Sequence, residues 1–295
     1  MKNAWMILAH NQFPLLEKLI AFLDSENSAF FLHIDAKAVD ADAARLAAAA
    51  KKSPVTFVDR VSISWGDFSM VEAELRLLRA ALDAGCDRFH LLSGVDVPIK
   101  SRQYIEDFFA SHPETNYVNF QNPEIDIKNL WRVRFYYPFQ RFNIRKNGLR
   151  RLLRNGSAGV QLLLGVDRTR KYDPSIVFQK GTQWFSITRP LAEYVLSREA
   201  EIRQIFRSTY CPDELVIQTM VASSAFLETL PSTAFDAKHL NCCRYIDWKR
   251  GNPYVFRDGD YDELVNADPS CLFARKFDYE KFQGIVDRLY EKYGE

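Results

Sequence analysis

The feature that most constrains this chain is the alternation, through its N-terminal part, of short apolar runs with longer amphipathic stretches. Residues 4–9 and 29–34 are near-continuous apolar runs, closed by His10-Asn11 and by Asp35. Runs that short fit strands buried on both faces, as in a parallel sheet covered by helices. Between them Phe13, Leu15, Leu16, Leu19, Ile20, Phe22 and Leu23 recur at helical spacing, which makes a strand, helix, strand unit. The rhythm continues: residues 43–50 predict a helix, 55–58 a short strand, 68–84 a long amphipathic helix and 88–92 another strand. The expected class is α/β with parallel crossovers.

In such sheets ligands bind beyond the carboxyl ends of the strands, so His10, Asp35 and the Ser93-Gly94-Val95-Asp96 turn are expected to face one crevice. A single Asp after a strand is an ordinary turn former; three polar strand ends in succession point to binding. No glycine-rich loop follows the first strand, which argues against a nicotinamide enzyme. Further on, residues 183–187 predict a strand, 190–196 a helix, and Pro212 the start of a helix with Asp213 and Glu214 at its mouth. Those carboxylates could simply complement the helix dipole or cap an amide. Against that, Cys211 is a poor residue at the cap position and Gln183 and Trp184 lie shortly upstream, so a second role is open. Residues 241–248 and 271–277 read as extended and 279–293 as a closing amphipathic helix. Without repeats or a low-complexity linker, residues 1–295 are expected to form a single domain.

The formal net charge is +1, with Lys and Arg matched by Asp and Glu, so no nucleic-acid partner is expected. Cys86, Cys211, Cys242, Cys243 and Cys271 are odd in number and lack zinc-site spacing, which argues against a complete disulfide framework and for a reducing compartment. The apolar start is interrupted by His10-Asn11 before a signal peptide or membrane span develops, and a cytoplasmic protein is expected. One segment is asymmetric. Across residues 127–166 no acid occurs, while Lys128, Arg132, Arg134, Arg141, Arg145, Lys146, Arg150, Arg151 and Arg154 alternate with Trp131, Phe135, Tyr136, Tyr137, Phe139 and Phe142. This is a solvated face with aromatics in the core, a basic amphipathic surface for anionic lipid head groups, or the lining of a sugar- or phosphate-bearing acceptor site.

Several short motifs in fixed order resemble glycosyltransferase family 14, the core-2/I-branching β-1,6-N-acetylglucosaminyltransferases and related protein O-xylosyltransferases. They are Ile7-Leu8-Ala9-His10, Leu32-His33-Ile34-Asp35-Ala36-Lys37, Ser64-Trp65-Gly66, Leu92-Ser93-Gly94-Val95-Asp96-Val97-Pro98-Ile99, Gly181-Thr182-Gln183-Trp184-Phe185, Pro212-Asp213-Glu214 and Leu272-Phe273-Ala274-Arg275-Lys276-Phe277. The resemblance implies a GT-A-like (Rossmann-like) mixed sheet flanked by helices. Its nucleotide-sugar-binding half would be residues 1–120, and its acceptor-binding and catalytic half residues 121–295. It also implies a UDP-sugar donor and inversion at the anomeric carbon. Glu214 matches the catalytic base, Asp35 the acid that holds the uridine portion, and Arg275 with Lys276 the basic pair near the diphosphate, to which Arg244 is added. The animal enzymes carry a membrane anchor and luminal disulfides, and this chain looks like a bacterial-type relative.

Inverting transfer needs a base for the acceptor hydroxyl and stabilisation of the departing diphosphate. Glu214 can supply the first. For the second, the strand-end position that would carry an Asp-x-Asp metal site reads Ser93-Gly94-Val95-Asp96, with one acid; Asp40-Ala41-Asp42 and Asp258-Gly259-Asp260 read as caps or turns. Arg275 and Lys276 can neutralise the diphosphate directly, so catalysis without a metal or other cofactor is expected. His10 and Trp65 are candidate donor contacts, Asp96 a contact to donor or acceptor hydroxyls, and Gln183, Trp184 and Asp213 candidate substrate contacts. The expected activity is transfer of N-acetylglucosamine, or of xylose or another sugar, from a UDP donor in β linkage to a glycan. A growing surface polysaccharide or lipid-linked oligosaccharide at the inner face of a membrane is the expected acceptor. Two alternatives remain: a noncatalytic sugar-nucleotide or glycan binder, and a metal-dependent transferase that uses Asp96.

Overall fold

The computed structural model describes residues 1–138, 148–231 and 240–294. Its elements in chain order are β1 (Asn3–Ala9), α1 (Phe13–Leu23), β2 (Ser28–Ile34), α2 (Ala43–Ala48), β3 (Val55–Phe57), α3 (Ser69–Asp83), β4 (Arg88–Ser93), β5 (Val97–Pro98), α4 (Arg102–Ala110) and β6 (Tyr117–Val118). There follow α5 (Ile127–Arg134), α6 (Gly148–Leu163), β7 (Phe185–Thr188), α7 (Arg189–Ser197), α8 (Glu199–Phe206), α9 (Val216–Ala222), β8 (Arg244–Ile246), α10 (Tyr261–Val265), β9 (Phe273–Arg275) and α11 (Gln283–Tyr293).

The main sheet has the order β3-β2-β1-β4-β7-β6. Its first four strands are parallel, whereas β7 runs antiparallel to both β4 and β6, so the sheet is mixed. A smaller sheet, β5-β9-β8, lies beside it. Every residue of β1 is buried, as its unbroken apolar run requires. The strand alternates: Ala4, Met6 and Leu8 pack into a core shared with Val71, Leu75 and Leu78 of α3, while Trp5, Ile7 and Ala9 pack with Leu16, Leu19 and Leu23 of α1. This is a mixed α/β sheet flanked by helices.

Register sets the crevice. Ala9 pairs with Ile34 and Leu8 with Ser93, so the carboxyl ends of β1, β2 and β4 finish side by side. Beyond them the Asp35 amide donates to Ala9 C=O at 2.9 Å and the Gly94 amide to Leu8 C=O at 3.0 Å.

Two expectations need correction. The helix read from Pro212 begins at Val216; residues Pro212–Glu214 form a separate 3-10 turn entered from Cys211 in the left-handed region, φ 49°. The Gly181 amide donates to the Glu214 carbonyl at 3.0 Å, which closes the turn against a neighbouring segment instead of into the helix. The two carboxylates therefore do not sit in the first turn of α9. The extended stretch over residues 241–248 contracts to β8, preceded by a 3-10 turn, Leu240–Cys242. The parallel crossovers read for residues 4–92 are present, β1 to β4 pairing parallel throughout. Asp42 behaves as read, capping α2 by accepting from the Arg45 amide at 3.0 Å, and Asp258 accepts from the Ile285 amide at 2.7 Å. All five cysteines are buried and none is in a disulfide. Of the basic segment, Phe139, Arg141, Phe142, Arg145 and Lys146 lie outside the described residues, as do the side chains of Arg150, Arg151 and Arg154. Among the described residues no helix is long and apolar enough to cross a membrane.

Candidate active site

A cavity of about 110 Å³ opens where the strand ends meet, with His10, Asp35, Ser93, Gln183, Trp184 and Arg275 in its wall. Ligand pockets commonly measure roughly 300–1,000 Å³, so the cavity by itself is small. Asp35 is 7% exposed. Its backbone is pinned by Arg60, which donates to Ile34 C=O at 3.2 Å and to Asp35 C=O at 2.7 Å, and its Oδ1 accepts the Lys37 amide at 2.9 Å. Desolvation holds the His10 imidazole below its ordinary pKa. The charges of Lys276, Arg275 and Lys37 act in the same direction and Asp35 opposes them.

Arg275, at the end of β9, is built into the opposite wall. Its Nη1 donates to Asp96 Oδ1 at 2.9 Å and to Ser93 Oγ, and its guanidinium lies 4.3 Å from the Trp184 ring centroid. Its Nε and Nη2 donate to no acceptor among the described residues, so part of the guanidinium fork is available to an anion. Asp96 itself is fully buried. Its Oδ2 accepts the Ser93 amide at 2.9 Å and its Oδ1 the Ser93 hydroxyl at 2.7 Å. The expectation that Asp96 orients substrate hydroxyls is corrected on this point: both oxygens are engaged, and the carboxylate reaches the cavity through Arg275.

Glu214 lies beside this cavity, not in its wall. Two cations share its Oε2: Arg132 Nη1 of α5 at 2.7 Å and Lys180 Nζ at 3.3 Å. Its Oε1 has no hydrogen-bonding partner among the described residues. Its backbone is tied to Gly181, whose amide donates to Glu214 C=O at 3.0 Å, and Gly181 itself packs closely: a Cβ on it would stand 1.7 Å from the Asn119 carbonyl oxygen. Two residues further, Gln183 returns to the cavity and donates from Nε2 to Glu74 Oε1 at 2.7 Å. Glu74, 6% exposed on α3, is a buried carboxyl. Desolvation, reinforced by the charge of Asp213, raises its pKa well above the carboxylate range while the Gln183 bond opposes. Asp213 is raised to about 7, first by desolvation and then by Glu214, with Arg132 and Lys180 opposing. Its Oδ1 is buried without a hydrogen-bond partner among the described residues.

The structure thus brings His10, Asp35, Gln183, Trp184 and Arg275 together and sets Asp213 and Glu214 next to them. Lys276 is not in the cavity wall, though its charge acts on His10. Trp65, 43% exposed, packs edge-on against Tyr210 with centroids 5.7 Å apart, on the approach to the Pro212 turn. Arg244 is not brought to the cavity. It is fully buried and donates to the carbonyls of Cys242, Leu91 and Phe185 at 2.8, 3.1 and 3.2 Å, bracing β4 against β7. Sequence reasoning missed Glu74, whose signal was an acid three residues after Val71 and four before Leu78 on an otherwise apolar helix face. It also missed the pairing of Arg132 and Lys180 with Glu214, for which no sequence signal exists. Among the described residues no three His, Cys, Asp or Glu side chains cluster as metal ligands do.

The family model described as Core-2/I-Branching enzyme matches residues 3–264. Human Xylosyltransferase 2 is 26% identical over 304 residues, covering 97% of this chain and 33% of that protein. Human Xylosyltransferase 1 is 24% identical over 310 residues, covering 99% and 30%. The chain therefore spans about a third of the length of these relatives. A crystal structure of mouse Xyloside xylosyltransferase 1 in its apo form is similar with a TM-score of 0.42 and 11% identity, covering 92% of this chain and 96% of that one.

Proposed function

The chain belongs to the Core-2/I-Branching enzyme family, and from that premise we propose that it is an inverting glycosyltransferase that uses a UDP-sugar donor, with Glu214 as the base. The observation that carries this reading is Glu214 itself, a carboxylate held through Oε2 by Arg132 and Lys180 with Oε1 unengaged, beside a cavity at the strand ends. Oε1 takes the proton of the acceptor hydroxyl as that oxygen attacks the anomeric carbon, and the UDP leaves on the opposite side of the sugar.

The leaving diphosphate meets Arg275. Nη1 is fixed by Asp96, so Nε and Nη2 are oriented in advance and lose little freedom on binding. Asp35 binds the uridine portion, with His10 beside it, and Lys276 adds positive charge near the phosphates. Trp65 and Trp184 offer ring faces or edges to the sugars. The transfer needs no metal in this reading, because the one acid at the end of β4 is committed to Arg275. The donor sugar is N-acetylglucosamine, delivered in β linkage. Xylose is the second reading, supported by the names of the similar human proteins. The acceptor is a glycan of a surface polysaccharide or its lipid-linked precursor, met by a bacterial-type enzyme at the cytoplasmic face of a membrane.

The test is UDP release from a panel of UDP-sugars with candidate glycan acceptors, in chelator, for the parent chain and Glu214→Gln. Loss of a general base lowers the rate on the order of a hundredfold or more with UDP binding retained. Turnover that survives the substitution, or that requires added metal, refutes the mechanism.

A further inference from the structure

Glu74 is an acid at a position where stability calls for an apolar residue. It stands on the apolar face of α3 between Val71 and Leu78, 6% exposed, where a hydrocarbon side chain would pack without the cost of burying a carboxyl. Among the described residues its one hydrogen-bonding partner is Gln183, whose Nε2 donates to Glu74 Oε1 at 2.7 Å. That bond turns the amide. With Nε2 drawn toward α3, the end of Gln183 left without a partner among the described residues is Oε1, an acceptor. Met70, one helical turn before Glu74, lines the cavity together with Gln183, so Glu74 backs this part of the wall.

Its place gives that acceptor a target. Trp184, the next residue, carries the Arg275 guanidinium 4.3 Å from its ring centroid, and α3 packs against the turn Pro212–Glu214. Gln183 is thereby set between the arginine assigned to the diphosphate and the carboxylate assigned as base. In a UDP-sugar, the group that joins the diphosphate and is attacked from the side of the base is the sugar. We propose that Glu74 is a positioning residue that holds Gln183 so that Oε1 accepts a hydrogen bond from the donor sugar, from a hydroxyl or an amide N–H. A carboxyl suits this task because its Oε1 accepts in either protonation state. Burial keeps the group neutral above the usual carboxylate range, so the brace adds no negative charge beside a diphosphate. The inference rests on the UDP-sugar reading above.

The test is isothermal titration of the full chain with UDP, UDP-N-acetylglucosamine and UDP-xylose. Gln183→Leu lowers the affinity for a UDP-sugar about fivefold or more and leaves that for UDP within about twofold. Glu74→Leu fills the buried space, melts at or above the parent's temperature and shows the same split. Glu74→Gln keeps an acceptor for Nε2 and restores the parent's affinities. A merely structural Glu74 would move the melting temperature and not the split. A loss confined to UDP-N-acetylglucosamine assigns the bond to its amide N–H, and a loss with both sugars assigns it to a hydroxyl. Four results overturn the proposal while the donor reading stands: equal losses for UDP and the UDP-sugars, no loss in Gln183→Leu, a loss in Gln183→Leu that Glu74→Leu does not share, or a Glu74→Gln that behaves as Glu74→Leu. Absence of UDP binding by the parent chain overturns both.

Discussion

Gln183 and Glu74 are joined by a single hydrogen bond, Nε2 to Oε1 at 2.7 Å, that ties the cavity wall to a carboxyl buried on α3. Burial keeps that carboxyl protonated in the folded chain above the pH at which the unfolded chain releases the proton. The sign follows: the native state binds more protons, so stability falls as pH rises above the ordinary Glu range, by about 1.4 kcal/mol per pH unit until the folded group titrates. Glu74→Gln keeps the size and an acceptor oxygen for Gln183 and removes this dependence. Its melting temperature should equal the parent's below the ordinary Glu pKa and exceed it increasingly toward neutral pH. Parallel melting curves across that range would show that Glu74 ionises freely.

Asp96 and Arg275 should behave as one unit toward UDP. Asp96→Asn leaves the guanidinium without its buried counter-charge and should weaken UDP binding on the order of tenfold. Arg275→Ala should weaken it at least as much. In the Arg275→Ala background Asp96→Asn should add little, because the carboxylate acts through the arginine. Isothermal titration of the two single variants and the double variant measures the coupling. Additive losses would mean that Asp96 touches the ligand directly.

How far this was legible beforehand depended on range. The β1, β2 and β4 strands and α1 and α3 are written in local periodicity, and the polar residues that close those strands carried the crevice with them. The Pro212 turn was misread because its shape is decided by Gly181, far away in sequence, and by a left-handed Cys211 that no local preference announces. Arg244 joins the donor set only through the resemblance, and an arginine beside a strand end is as compatible with a phosphate as with three carbonyls. Only the packing of β4 against β7 distinguishes them. The acid on the apolar face of α3 was visible, but a pattern cannot say that its partner is Gln183.

Gly181 has no room for a methyl group. A Cβ there would lie 1.7 Å from Asn119 O and 3.0 Å from Gln218 Cγ, so the backbone must shift. Gly181→Ala should cost about 3 kcal/mol or more and, where the chain still folds, displace Glu214 through the lost amide bond. Chemical denaturation measures the first and UDP release the second. A change under about 0.5 kcal/mol would mean that the segment moves freely.

Of the two cations on Glu214 among the described residues, Arg132 is the closer, 2.7 Å against 3.3 Å for Lys180. If the pair positions Oε1 toward the acceptor, Arg132→Met should reduce kcat on the order of tenfold or more while donor KM and UDP affinity change little, since the donor cavity is untouched. Arg132→Lys should recover part of the loss, as a point charge replaces a directed donor. A variant that raises donor KM with kcat intact would place Arg132 on the donor instead.

Arg244 tests the distinction between a brace and a ligand contact. Its three carbonyl partners and the Phe273 ring, 4.9 Å from the guanidinium, hold it in the core. Arg244→Leu fills part of the volume but strands those acceptors and should destabilise the fold by about 2–4 kcal/mol. Any folded fraction should bind UDP as the parent does, because no donor atom of Arg244 reaches the cavity. Unchanged stability with a tenfold loss of UDP affinity would reverse the assignment and return Arg244 to the diphosphate.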